Sequence, residues 1–325
     1  MTTASTTPPV SESTAPAFAS PSVTRRRRTG RAPSDPKPLV GWLFIAPNLL
    51  GVLLFTVVPL VSVVALSFTT WNLVSGLEGI EFVGIDNFLF VLQDPTFWRS
   101  LLITVVYAGV AVPLTLGVGL LLAMALNRDV PGRALLRACF FIPYIVNVVA
   151  IGMTWMMLLD PSAGLLNQFL ANFGAEALPG WFASSRWALP ALILVTIWAQ
   201  AGYACLIYLS ALQDAPEQLY EAARIDGAGR WRMFRAITWP SLLATTVFLL
   251  ITLFVGISQS FGMIALITNG GPGASTTTLS FYMYQTSFQF YRFGYASAVG
   301  LVTFLGIFAL MLVMWRLQRG KALHD

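Results

Sequence analysis

Charged residues are scarce in this sequence. Only 10% of its 325 residues are Asp, Glu, Lys or Arg, whereas 56% are hydrophobic. A soluble domain typically has about 25% charged residues, so the composition excludes an ordinary soluble globular protein. The shortage is concentrated in long stretches, and residues 236–291 contain no charge at all. This pattern is typical of a protein that crosses a membrane several times.

The residues needed for catalysis, metal binding and nucleotide binding are also missing. The chain has one histidine, His324, and two cysteines, Cys139 and Cys205, which lie inside apolar runs. These provide no metal-ligand cluster, and we find no plausible nucleophile–base pair. No G-x-x-x-x-G-K-[ST] motif occurs, because Gly320-Lys321 lacks both the earlier glycine and a following Ser or Thr. We therefore expect a non-enzymatic chain that binds no cofactor of its own.

Six apolar runs are long enough to span a bilayer, which takes about 20 residues. They cover residues 41–69, 101–127, 134–159, 187–212, 240–267 and 294–316. Pro143, in the third run, is expected to kink its helix near the membrane surface. The sequence therefore predicts an all-α membrane protein with six transmembrane helices in one domain, 38–325. Residues 1–37, rich in Ser, Thr, Pro and Ala and ending in a basic cluster, are predicted to be a disordered tail. We interpret the first run as an uncleaved span, because it far exceeds a signal peptide's roughly 7–15 apolar residues.

The distribution of basic residues predicts the orientation. Of the 19 Lys and Arg residues, 16 fall on one side of the predicted spans, and only Arg99, Arg186 and Arg292 fall on the other. Since basic residues concentrate in cytoplasmic loops, both termini and the loop 213–239 are predicted to be cytoplasmic. The location is then the cytoplasmic (inner) membrane.

The loop 213–239 has the chemistry of two short helices separated by a break. Asp214 and Glu217 form a capping-box pattern at the start of the first helix, and Gly227 supplies the conformation that ends it. Trp231 and Phe234 are three residues apart and therefore share one side of a second helix. Such a segment between two membrane spans favours docking onto another protein.

This loop resembles the cytoplasmic EAA loop of ABC importer permeases. The resemblance lies in Glu221-Ala222-Ala223, followed at the family's spacing by Gly227, Ile237 and Pro240. The family usually has Leu before that proline, whereas this chain has Trp239. In the family, the loop is a coupling helix that inserts into a cleft of a separate ATPase subunit. The resemblance implies coupling roles for these residues: Glu221, Ala222, Ala223, Asp226, Gly227, Trp231, Phe234 and Pro240. For Trp231 and Phe234, packing on the chain's own helices is an equally open alternative.

Segments in the predicted external loops resemble the carbohydrate-uptake, maltose-type first-permease subfamily. They are Phe82–Phe88 with Asp94-Pro95 and Phe97-Trp98, then Asp160-Pro161 with Gly164 and Asn167, and finally Thr268–Pro272 with the following threonines. The resemblance implies import of a sugar or oligosaccharide. It also implies a second permease subunit, an ATP-binding subunit dimer that uses ATP and Mg, and an extracytoplasmic solute-binding protein. Membrane lipid surrounds such a chain, and no nucleic-acid partner is expected.

Polar residues within the predicted spans are candidates for substrate contact. Buried amides are costly in lipid unless they are paired, so each has either a neighbouring helix or a ligand as its partner. Placed by the family motifs, the substrate-binding candidates are Tyr144, Asn147, Gln200, Gln259 and Ser260. Interhelical hydrogen bonding is the alternative for any one of them.

Two other functions remain open at this point. A permease for glycerol phosphate or another polyol derivative would share the same motifs, although the scarcity of basic residues in the spans disfavours a phosphorylated substrate. A secondary carrier that works without ATP is the other alternative. The lack of ionisable residues in the spans argues against proton coupling, but a Na⁺ site built from carbonyl and hydroxyl oxygens would leave no such signal.

Overall fold

The computed structural model describes residues 38–72, 74, 76–128, 131–174 and 179–322. The predicted disordered tail, residues 1–37, lies outside this range. By contacts, the chain divides into a first unit that ends at Thr56 and a larger unit that begins at Val57. Helix α1 (Pro38–Val52) belongs to the first unit.

The larger unit is almost entirely helical. Its α-helices are α2 (Val58–Ser67), α3 (Asp86–Gln93), α4 (Pro95–Leu126), α5 (Arg133–Ile145), α6 (Val148–Leu158), α7 (Leu165–Asn172), α8 (Ala188–Gln213), α9 (Glu217–Ile225), α10 (Arg230–Met233), α11 (Trp239–Ser258), α12 (Gly262–Ile267), α13 (Leu279–Tyr284) and α14 (Phe293–Ala322). Two short antiparallel strands, β1 (Thr69–Thr70) and β2 (Glu81–Phe82), pair with Thr69 opposite Phe82. Short 3₁₀ turns cover Leu77–Gly79 and Trp181–Ala183.

Six segments of the described chain are long and apolar enough to cross a membrane, if one bent helix pair is counted as a span. Five are continuous: Trp42–Ser67, Pro95–Leu126, Ala188–Gln213, Arg230–Ile267 and Phe293–Val313. The sixth is the pair α5 and α6, whose axes differ by 99°. The predicted all-α fold with six transmembrane helices is thereby confirmed.

The position of the bend differs from the sequence expectation. Pro143 was expected to kink the third span near the membrane surface, but the helix continues to Ile145 and breaks at Val146 and Asn147. Both of these residues have extended backbone angles, with ψ of 143° and 135°. The Asn147 side chain then caps α6 by accepting a hydrogen bond from the Val149 N–H at 2.8 Å. The break therefore lies between a 13-residue helix and an 11-residue helix, in the interior of the segment.

Two π-helical turns occur just before prolines. They cover Leu53–Val57 and Phe234–Thr238, and each ends two residues before a proline, Pro59 and Pro240 respectively. A proline inside a helix has no N–H to donate and its ring clashes with the carbonyl four residues earlier. The wider π turn relieves this conflict: the Trp239 N–H bonds the carbonyl of Phe234, five residues back. The helix thus continues through Pro240 into the span.

The core lies where α4, α8 and α11 pack together. Small residues let α4 and α8 approach closely, as is common between membrane helices: a Cβ on Gly119 of α4 would lie only 2.5 Å from the Cβ of Ala204 on α8. Two hydroxyl pairs cross the same core. Tyr107 bonds Thr196 at 2.6 Å, and Tyr208 donates to Thr246 at 3.1 Å.

Candidate coupling surface and translocation site

Helix α9 begins two residues later than the capping box predicts. Asp214 follows the end of α8, where its N–H bonds the Ser210 carbonyl. The residue that precedes the first turn of α9 is Pro216, and no side chain caps this turn. The predicted box is wrong because Ala215 precedes a proline, and the ring of Pro216 disfavours helical backbone at that position.

The end of α9 is as predicted. Gly227 has a φ of +70°, a conformation that glycine adopts without strain. Its N–H bonds the Arg224 carbonyl, and the Ala228 N–H bonds the Ala223 carbonyl at 2.9 Å. This is the Schellman arrangement, with Asp226 at the C-cap. It turns the chain sharply between α9 and α10.

One face of α9 is anchored to the base of α11, and the other is exposed. The Tyr220 hydroxyl bonds the buried Thr238 hydroxyl at 3.0 Å, and Ala223 is half-buried. Glu221 and Ala222 are exposed, and Ile225 is 87% exposed. Sequence reasoning missed Tyr220 and Thr238, because nothing in the local pattern links residues 18 positions apart.

The aromatic residues after Gly227 form one cluster. Trp231 stacks on Phe234 with ring centroids 5.6 Å apart, and Phe234 lies 6.4 Å from Trp239. Phe234 is half-buried, whereas Trp231 is 73% exposed. The predicted shared face of Trp231 and Phe234 is therefore present. Pro240 lies next to the cluster in the first turn of α11.

A second group of predicted residues meets where α5 packs on α8. Tyr144 stacks on Tyr203, with centroids 4.8 Å apart and planes within 16°. The contact is close because Gly202 has no side chain, and a Cβ there would overlap the carbonyl oxygen of Phe140. Tyr144 remains 42% exposed, so this aromatic pair has a free face.

Along α8, polar groups continue from the tyrosine pair. Gln200 lies one turn before Tyr203, is half-buried and makes no hydrogen bond with the described residues. Thr196 is one turn earlier and bonds the Tyr107 hydroxyl. Ser260 lies close to that same hydroxyl. The structure thus brings Tyr144, Gln200 and Ser260 to neighbouring turns around α8.

The other two candidates lie at helix interruptions. Asn147 is exposed at the break between α5 and α6, where its side-chain oxygen Oδ1 caps α6. Gln259 is exposed at the end of α11, before the non-helical residues that precede α12. The two interrupted segments pack together, because Gly152 of α6 lies against Leu266 of α12 and Gly262 lies against Val148. Interhelical hydrogen bonding was the alternative to substrate contact for these amides. Within the described residues, neither Gln259 nor Gln200 forms such a bond.

A model of the family of binding-protein-dependent transport system inner membrane components matches residues 115–322. The chain belongs to this family. It is 35% identical to the sulfoquinovosyl glycerol transport system permease protein SmoG of Agrobacterium fabrum, over 87% of this chain and 91% of that protein. It is 32% identical to the trehalose/maltose transport system permease protein MalF of Thermococcus litoralis, over 86% and 94%.

The fold also matches a solved ABC transporter. A chain in the crystal structure of a bacterial alginate ABC transporter, in complex with an alginate pentasaccharide-bound periplasmic protein, aligns with a TM-score of 0.77 at 24% identity. The alignment covers 87% of this chain and 95% of that one. The permease fold therefore extends over nearly the whole described chain.

The permease motifs in the predicted external loops hold the fold together. Asn87 is buried and donates to the carbonyls of Ser67 and Thr69 at 3.0 and 2.9 Å, which ties α3 to the end of α2. Asn167 donates to Pro161 and Pro179 and accepts from the Trp181 indole at 2.7 Å. Asp160 accepts three hydrogen bonds from the backbone of Ala163 and from Ser162, and these lower its pKa. Each motif residue closes its own loop.

Among these motif residues, Asp94 contacts the residues most distant from it in the sequence. It caps α4 through the Thr96 N–H at 2.8 Å and accepts hydrogen bonds from the Tyr282 and Tyr295 hydroxyls. Partial burial raises the pKa of Asp94, but the hydrogen bonds from Tyr282, Tyr295 and Thr96 outweigh burial and leave it below the ordinary value. The carboxylate therefore clamps α4 to α13 and α14.

Arg137 lies inside a span and not in a loop. It falls within the predicted third span, 134–159, one turn into α5, and its Nε and Nη2 are buried without a hydrogen-bond partner in the described chain. The argument that scarce basic residues disfavour an anionic substrate is weaker for this reason.

Proposed function

We propose that this chain is the permease subunit of an ATP-driven ABC importer that moves a sugar or oligosaccharide across the cytoplasmic membrane. The observation that carries the substrate class is the Tyr144–Tyr203 pair, which has an exposed face beside the amide of Gln200, an amide without a hydrogen-bond partner among the described residues. Aromatic faces and uncharged hydrogen-bonding groups match the apolar and hydroxyl surfaces of a sugar ring.

The backbone at this place supports a binding site. Transporters bind substrates where membrane helices are interrupted, because freed N–H and C=O groups can face a cavity there. Within the described part of the chain, helices are interrupted at Asn147 and at Gln259–Phe261, and these helices pack together. Tyr144, Asn147, Gln200, Gln259 and Ser260 are the proposed contacts. Both named relatives carry glycosides, which favours a sugar over glycerol phosphate or another polyol.

The exposed face of α9 is the proposed surface for a separate ATPase. Glu221 is exposed and has no basic partner among the described residues, so it is free to form charge-assisted hydrogen bonds with another protein. The Tyr220–Thr238 bond would transmit movement of α9 directly to the base of α11. ATP and Mg belong to that ATPase dimer. A second permease and an extracytoplasmic binding protein complete the proposed importer, with both termini cytoplasmic.

The coupling role is tested by reversing the charge of Glu221. Glu221→Lys is expected to abolish sugar uptake, while the variant still inserts and assembles in the membrane. Glu78→Lys makes the same change on an exposed residue far along the chain and should transport normally. Gly227→Asp should also abolish uptake, and since nothing lies within 4 Å of a Cβ there, its effect would come from backbone and charge. Normal uptake by both coupling variants would refute this role.

The binding site is tested by truncating Gln200. In the assembled transporter, Gln200→Ala should raise the sugar concentration needed for half-maximal ATPase stimulation, since one hydrogen bond is worth about 0.5–1.5 kcal/mol. Gln168→Ala removes the same amide from α7 and should leave the dose response unchanged. An unchanged response for Gln200→Ala would remove it from the site. Uphill uptake by this chain alone, without an ATPase, would instead favour a secondary carrier.

A further inference from the structure

The aromatic cluster after Gly227 encloses a shallow cavity at the end of a membrane span. Trp231, Phe234, Arg235 and Trp239 line a volume of about 350 Å³, and we name these four residues the cradle. Trp231, Arg235 and Trp239 are exposed in the described chain. Trp231 is 73% exposed although its ring stacks on Phe234, so most of its surface is available to a partner.

The helix length places the cradle at the membrane surface. The segment Arg230–Ile267 has 38 residues, well above the roughly 20 that a membrane span needs. Helix α11 alone has 20 residues and fills a hydrocarbon core of about 30 Å. If Trp239 marks the edge of that core, Arg235 and Phe234 lie about 6–8 Å beyond it, within the headgroup layer.

The segment that contains the cradle carries only positive charge, since the four carboxylates of the loop all precede Gly227. Arg230, Arg232 and Arg235 are all exposed, and no acidic residue occurs from position 230 to 291. None of these arginines pairs with an acidic side chain of the described residues. Tryptophan and arginine together at such a depth favour the interface of a leaflet that contains anionic lipid.

We propose that the cradle binds an anionic phospholipid of the cytoplasmic leaflet. Arg235 contacts the phosphate, while Trp231, Phe234 and Trp239 hold the glycerol and the first part of the acyl chains. The leaflet assignment rests on the proposed function, because it uses the cytoplasmic position of the loop 213–239. A lipid held here would touch the segment that joins α9 to α11, so lipid composition would affect coupling.

Native mass spectrometry of the complete, delipidated transporter tests this proposal. The probes are phosphatidylglycerol and phosphatidylcholine with the same acyl chains. We expect at least one phospholipid site that prefers phosphatidylglycerol. Arg235→Gln should weaken phosphatidylglycerol binding about fivefold, as expected for one basic residue near a charged surface. Trp231→Ala should weaken it as well, and both changes fall on exposed side chains that the fold does not need.

A matched control and a second measurement make the outcome decisive. Arg186→Gln removes the same charge from an exposed position on the other predicted side and should change binding less than about twofold. Equal binding of the two lipids to the unmodified transporter, or equal loss in the control, would overturn the proposal. If the cradle variants lose the ATPase subunit yet keep their lipid affinity, the cradle is a protein contact: the lipid proposal is then wrong, and the proposed importer function stands.

Discussion

Adding one methyl group at Gly202 should lower the stability of the permease and disturb the proposed substrate site. A Cβ at this position would overlap the carbonyl oxygen of Phe140 and lie 2.7 Å from its carbonyl carbon. Since carbon–carbon contacts settle at about 3.5–4.0 Å, α5 and α8 would have to separate by about 1 Å. Overpacking of this kind costs about 1–3 kcal/mol. Gly202→Ala should therefore lower the thermal unfolding midpoint of the assembled transporter.

The same displacement should loosen the stack between Tyr144 and Tyr203, the residue next to Gly202. An aromatic pair is worth about 0.5–1.5 kcal/mol beyond its burial, which corresponds to a roughly 2- to 10-fold higher sugar concentration for half-maximal ATPase stimulation. Gly109→Ala and Gly256→Ala are the controls, because nothing lies within 4 Å of a Cβ at either position. If Gly202→Ala matches these controls in both assays, the close α5–α8 contact is not what shapes the site.

Three further predictions follow from individual contacts. Tyr220→Phe removes the hydrogen bond to Thr238, whose contribution to holding α9 on α11 is about 0.5–1.5 kcal/mol, and should raise the amount of ATP hydrolysed per sugar imported. Adding Thr238→Val to this variant should have no further effect on that ratio. Asp94→Asn should lower the free energy of unfolding by about 1–3 kcal/mol, measured by chemical denaturation. Because the folded pKa of Asp94 is lowered, its stabilising effect should be complete above the ordinary value of 3.8 and be lost only as the pH falls through the folded-state pKa. Gly270→Ala should destabilise the permease more than Gly76→Ala, since both glycines have positive φ but only Gly270 is crowded by Phe281; equal effects would contradict this.

Local chemistry predicted the C-terminal end of α9 correctly and its N-terminal end wrongly. Gly227 ends α9 as predicted, because a left-handed residue after a helix is a local requirement that glycine meets. The capping box at Asp214 and Glu217 failed, because the constraint that Pro216 places on Ala215 is stronger than one side-chain hydrogen bond. The kink near Pro143 was expected, but its place, at Asn147, depended on a cap that the sequence did not single out.

The fold brings some of the candidate substrate-binding residues together, and their roles stay predictions. Tyr144, Gln200 and Ser260 were chosen from polarity within apolar runs, and the fold does bring them to adjacent turns. Asn147 and Gln259 lie at helix interruptions that hydropathy does not reveal. The partners Tyr203 and Tyr107 were not assigned roles, because tyrosines in an apolar run carry no signal that separates a packed ring from a ligand contact.

The sequence by itself determined the number of spans, the helical fold and the position of the coupling loop. These follow from the length of apolar runs and from glycine and proline chemistry, which act over a few residues. Only the tertiary structure decided that Asp94 meets Tyr282 and Tyr295, that Tyr220 meets Thr238, and that Trp231, Phe234 and Trp239 enclose one cavity. Such contacts depend on the relative positions and rotations of the helices. Hydropathy does not specify these, because sequences with the same apolar runs can pack their helices in different ways.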